Sequence, residues 1–203
     1  MAVRQHINGH LDKAEKGYQA FLDTGIDDPD VISNYALICQ GTNRIDVALR
    51  MYKKCIRLFP SHSQASSNLG YLYLSIGRLD EAEEITRKAI ELKPDLANAY
   101  STLGLIHKAK GNLLKAEVET RKAIEIQPDL IDAYINLGLI LKSSGDIKEA
   151  KVVTRKAIKL QPESADAHLN LGTLYQDQGN LELAEECTRK AIELNAEIAD
   201  AHM

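Results

Sequence analysis

The sequence predicts an all-α protein built as a stack of short antiparallel helix pairs, and three observations carry that prediction. The 203-residue chain is 44% hydrophobic and 27% charged but only 5% aromatic, and its apolar residues are mostly Ala, Leu and Ile, which favours helices over a sheet sandwich. A strict period of 34 residues runs along it: RKAIEL at 87–92 returns as RKAIEI at 121–126, RKAIKL at 155–160 and RKAIEL at 189–194. Pro60, Pro94, Pro128 and Pro162 keep the same step, as do the Leu-Gly pairs beginning at Leu69, Leu103, Leu137 and Leu171. Within each period the apolar residues recur at helical spacing and are interrupted by Gly or Pro.

In chain order, residues 1–28 correspond to positions 7 to 34 of the repeated unit, with Gly9, Leu11 and Ala14 in register. Full units follow at 29–62, 63–96, 97–130, 131–164 and 165–198, and 199–203 opens a further one. The expected organisation is therefore a single array over 1–203. In the unit 63–96, Leu69, Leu72 and Tyr73 form a first helical face that Gly77 breaks. Leu79, Ala82, Ile85, Ala89, Ile90 and Leu92 form a second, which Pro94 stops. Helices of three to four turns are too short to be stable alone and must bury their faces on neighbouring units.

Small residues mark where helices approach. Position 20 is Ala14, Ala48, Ala82, Ala116, Ala150 and Ala184, and position 8 is Gly or Ala; larger side chains would push axes beyond the roughly 8–10 Å of close packing. Asp146 with Glu149 predicts a capping box, and Asp95 and Asp129 are expected to cap the helices that follow them.

Other function classes fall away. A net charge of -4 argues against a dedicated binder of nucleic acid or anionic membrane. No apolar run approaches the roughly 20 residues of a membrane span, so no membrane insertion is expected. Three cysteines without a CxxC pair make neither a disulfide framework nor a zinc site, which points to a reducing, cytoplasmic setting. No Gly-rich phosphate loop, HExxH or GxSxG is present, and His6 and His10 are too few for a metal. The expected catalytic, cofactor and metal residues are none, and the chain is read as a non-enzyme. The Arg-Lys pairs at 87–88, 121–122, 155–156 and 189–190 follow Glu83, Glu84, Glu117, Glu185 and Glu186, which predicts a self-neutralised outer face.

The L-G-x2-Y of Leu69, Gly70 and Tyr73, followed by Ala82, Ala89 and Pro94, resembles the tetratricopeptide repeat, and the resemblance extends over essentially the whole chain. Thr86, Thr120, Thr154 and Thr188 replace the family's second-helix aromatic, and the opening aromatic is Ile32, Ser66, Tyr100, Tyr134 or His168. The near-identity of the units resembles bacterial arrays, which are often fused to transferase domains. The resemblance implies a right-handed superhelical solenoid whose first helices line a concave groove for protein partners.

On that groove, position 6 reads Asn34, Asn68, Thr102, Asn136 and Asn170. An Asn amide offers a donor and an acceptor, matching the backbone of an extended peptide. Equivalent helices about 10 Å apart and a strand rise of about 3.3 Å per residue would let one Asn hold every third residue. The ladder is similar to that in the superhelical domain of O-linked N-acetylglucosamine transferase. Two readings stay open: peptide binding, or contacts between the helices themselves. Leu37, Tyr71, Leu105 and Leu139 flank the ladder, with Lys108 and Lys142 as the main bases. The "carboxylate clamp" of other members needs Lys, Asn and Arg at positions where this sequence has none.

The function expected from these features is a scaffold that binds an extended protein segment in its groove. The alternatives are the substrate-recognition part of a larger transferase, or a self-associating structural array. Because 1–28 and 199–203 are complementary parts of one unit, head-to-tail self-association is a further expectation.

Overall fold

A computed structural model describes residues 11–194, and among them there are helices and turns but no strand. Eleven helices follow one another: α1 (Leu11–Leu22), α2 (Pro29–Gly41), α3 (Ile45–Leu58), α4 (Ser63–Ser75), α5 (Leu79–Leu92), α6 (Ala97–Ala109), α7 (Leu113–Ile126), α8 (Ile131–Ser144), α9 (Ile147–Leu160), α10 (Ala165–Gln176) and α11 (Leu181–Leu194). The helices from α2 on pair as the period predicts, with α2, α4, α6, α8 and α10 starting at position 1 of the five units. The described helices gather into two compact units, one up to Ala99 and one from Tyr100, divided within α6. His6, His10 and the segment 199–203 lie outside the described residues, and with them the expected end-to-end stacking.

The turns inside each pair depend on one backbone position. Position 15 takes a left-handed conformation in every full unit, occupied by Gly77, Gly111, Gly145, Gly179 and, once, Asn43 at φ 58°. Glycine, and less readily Asn, enters that region without the Cβ penalty. At the other end of the pairs, the caps sit at position 34. Asp28 accepts from the Val31 N–H at 2.9 Å, His62 from Ala65 and Ser164 from Ala167. The expected cap Asp129 does not form, because the cap position of α8 is Leu130, which offers no side-chain acceptor. Asp146 does cap α9 through the Glu149 N–H at 3.0 Å, but Glu149 turns its carboxylate to Arg121 instead of completing the box.

Each unit has its own packed interior. In the N-terminal unit, α2 packs on α1, α3 and α4, and α4 on α3 and α5. In the C-terminal unit, α8 packs on α7, α9 and α10, and α10 on α9 and α11. The position-20 alanines are buried throughout. Opposite them, position 8 is held small by position 24: a Cβ on Gly70 or Gly104 would collide with the hydroxyl of Thr86 or Thr120, and one on Gly172 would come within 3.0 Å of Thr188 Oγ1. Thr120 and Thr188 bond their hydroxyls to the preceding turn, at Ala116 O and Ala184 O, each at 2.8 Å. The threonine that replaced the family aromatic therefore packs against the glycine facing it.

Candidate peptide-binding groove

On the first helices, positions 2, 5, 9 and 12 are three or four residues apart and so share a helical face as one stripe. Position 2 is exposed in every full unit, as Asp30, Gln64, Asn98, Asp132 and Asp166. On α2 and α4, which pack side by side, position 5 is Ser33 and Ser67, both buried. Position 9 above them is Leu37 and Tyr71, exposed to 39% and 47%. On α8 and α10 the stripe fills in: Ile135, Leu139, Leu169 and Thr173 are all half-buried, and so is Leu105 on α6. The N-terminal unit thus offers an aliphatic and an aromatic side chain over a floor of serines, and the C-terminal unit a flatter aliphatic surface.

The asparagines at position 6 stand one residue off that stripe, and each of the four engages the protein. Asn34 bonds the Tyr18 hydroxyl and Asn68 that of Tyr52. Asn68 also accepts from Gln64 Nε2 at 2.9 Å. Burial pushes both phenols up in pKa, and the asparagine bonds act against it. Asn136 Nδ2 donates to Ser101 Oγ at 2.9 Å. Asn170 is only 5% exposed; its Nδ2 reaches Ile135 O at 3.3 Å and would meet a Cβ on Gly138 at 2.9 Å. Thr102 is buried. Asn34, Asn68 and Asn136 are half-buried. Of the two readings of the ladder, contacts between helices are thus formed in each unit, while the exposed edges of three asparagines remain available.

The bases divide as well. Lys142 is neutralised by Asp177 of the next helix pair at 3.1 Å, a pairing that sequence separation did not suggest. Lys108 is half-buried and has no ion-pair partner among the described residues. The acid Asp30 is held by His62 at 3.2 Å. The opening aromatic position proves to be polar in use: Tyr134 OH donates to Pro128 O at 3.0 Å, and His168 Nε2 contacts Pro162 O at 2.9 Å, which requires the proton on Nε2. The family pattern marks this position only as aromatic; the proline carbonyl six residues upstream is the partner it does not reveal.

No metal-ligating group of three or more His, Cys, Asp or Glu side chains occurs among the described residues. Cys39 and Cys55 are buried and Cys187 half-buried, all unpaired. Burial raises the Cys55 thiol to about 11, far from the range of a reactive thiolate. No described helix is long and apolar enough to cross a membrane.

Comparison with known proteins matches this architecture. Models of the tetratricopeptide repeat match residues 40–97, 97–130 and 165–197, and a TPR repeat model matches 138–179. Among solved structures, MamA is 27% identical with a TM-score of 0.62, over 86% of this chain and 98% of that one. A thermophilic TPR protein from Thermus thermophilus is 20% identical with a TM-score of 0.79, over 85% and 94%. YrrB, described as a TPR protein with an unusual peptide-binding site, is 23% identical with a TM-score of 0.56, over 88% and 92%. No curated protein sequence matches the chain.

Proposed function

The chain belongs to the tetratricopeptide repeat family, and on that premise we propose that it is a non-catalytic interaction scaffold holding an extended peptide against its first helices. The observation that carries the reading is the pair Leu37 and Tyr71, exposed at the same repeat position on adjacent helices. A solvated helix face does not need a leucine and a tyrosine in register, whereas alternate side chains of an extended peptide need apolar contacts at such intervals. The half-exposed amides of Asn34 and Asn68 stand beside the pair and can bond a peptide backbone. On the C-terminal unit, Leu105, Leu139 and Asn136 continue the same chemistry, with Lys108 as the cation for an acidic side chain. The peptide-binding site described for YrrB supports the class of ligand, and three unpaired cysteines are compatible with a reducing cytoplasm.

The test is selection of peptides from a displayed library on the full chain, followed by calorimetry. Truncating both Leu37 and Tyr71 to Ala should weaken a selected peptide by about tenfold or more, since each apolar side chain contributes about 1.5–3 kcal/mol when fully buried. Equal affinity for the double variant, with helicity intact, refutes the groove.

A further inference from the structure

The second helices carry the outer charges, and α9 departs from the pairing that α7 and α11 share. On α7, Arg121 is paired with Glu117 at 3.0 Å and Lys122 with Glu125 at 3.4 Å. On α11, Arg189 is paired with Glu185 at 2.6 Å and Lys190 with Glu193 at 3.3 Å. The acids come from positions 21 and 29. On α9 both are lysine, Lys151 and Lys159, so this helix has five cations (Lys148, Lys151, Arg155, Lys156 and Lys159) against the single acid Glu149. Lys151 and Arg155 are drawn inward onto Tyr175: the Lys151 ammonium lies 5.4 Å from the ring centroid, and Arg155 Nη2 is 2.6 Å from the hydroxyl. Lys148, Lys156 and Lys159 are exposed with no hydrogen-bond or ion-pair partner among the described residues.

Apolar residues occupy the same surface. Position 22 is Glu84 and Glu186 in the flanking repeats but Val118 and Val152 here; position 18 is Asp80 and Glu182 there but Leu114 on α7. Val118, Val152 and Leu114 are exposed to 66%, 64% and 84%. Arg121 of α7 meets Glu149 of α9 at 2.7 Å; Val118 precedes the first by one turn and Val152 follows the second by one turn, so one ion pair links the two helices near the valines. A run of apolar side chains where neighbouring repeats carry acids marks an interaction surface.

We propose that the outer face of α7 and α9 docks an acidic amphipathic helix of a partner protein, its acids meeting Lys148, Lys156 and Lys159 and its apolar stripe covering Leu114, Val118 and Val152. The unpaired cations lie along a single helix about 20 Å long, the footprint of one partner helix. A bilayer or a nucleic-acid duplex needs a broad basic field, and α7 beside it is charge-balanced, with three acids to three bases. The surface is separate from the groove of the first helices, so either can fail without the other.

The full chain is titrated, by fluorescence anisotropy, against a labelled synthetic peptide designed as a helix with leucines at i and i+4 between glutamates. The wild type should bind and K148E/K156E/K159E should bind about tenfold or more weakly, three exposed ion pairs being lost. L114S/V118S/V152S should bind more weakly too, and added salt should weaken the wild type. Circular dichroism checks that helicity is kept, and L37A/Y71A should bind this peptide as the wild type does. A wild type that does not bind the peptide, or a charge-reversal variant that binds equally well, overturns the proposal. Lysine-dependent binding to phosphatidylserine vesicles or a short DNA duplex in place of the peptide also overturns it.

Discussion

The early and later repeats fill the same junction in different ways. In the first two, the site at position 24 is Tyr18 and Tyr52, both fully buried, and position 8 opposite Tyr52 is Ala36. In the C-terminal unit the tyrosine is replaced by Thr120 and Thr154, and position 8 shrinks to Gly104 and Gly138. The asparagine at position 6 adapts to each: it bonds a phenol hydroxyl in the first case and a neighbouring serine or carbonyl in the second. The lesson is that the period fixes helix positions, while the filling between them is renegotiated locally, one side chain against the next.

The largest break in that comparison is Tyr52→Thr, which installs the later residue in an early junction. With Ala36 unable to move inward, a cavity is left and the cost should be about 3 kcal/mol, read from the urea midpoint. Repeats contact only their neighbours, so the damage should be local. Cys39 and Cys55, buried in that unit, should become labelled by a thiol reagent much faster, while Cys187 in the other unit keeps its wild-type rate. Equal acceleration at all three would show that the junctions do not act locally.

Gly104→Ala is next, the reverse exchange. Its methyl would collide with the Thr120 hydroxyl, and overpacking should cost about 1–3 kcal/mol. Adding Thr120→Ala should recover much of the loss, a coupling that a double-mutant cycle measures directly. The control is Ala36→Gly, where no clash arises and the loss is helix propensity, about 0.5–1 kcal/mol, together with one buried methyl.

Smallest is Asn170→Ala. It leaves Ile135 O without its side-chain donor, and a net hydrogen bond is worth about 0.5–1.5 kcal/mol. Thermal unfolding of Asn170→Ala should show a lower midpoint, with affinity for a groove peptide unaltered. If affinity fell and stability did not, Asn170 would be a ligand contact and its place in the junction incidental.

Much of this was legible beforehand, and the reason is visible residue by residue. The 34-residue step, the alanines at position 20 and the Leu-Gly pairs are local or periodic signals, so the unit starts at 29, 63, 97, 131 and 165 could be read from sequence alone. The Arg121–Glu117 and Arg189–Glu185 pairs lie one turn apart on one helix and were equally readable. Lys142–Asp177, Arg121–Glu149 and Asn136–Ser101 join residues about one repeat apart, and nothing in a one-dimensional pattern says which faces meet. The all-helical fold and the breaks between the described helices were readable in the sequence alone, because helical periodicity and the Gly and Pro breaks act over a few residues. Which asparagines turn into junctions, and which lysines stay unpaired among the described residues, depended on three-dimensional packing, because burial and hydrogen bonding follow from what the next repeat presents across the gap.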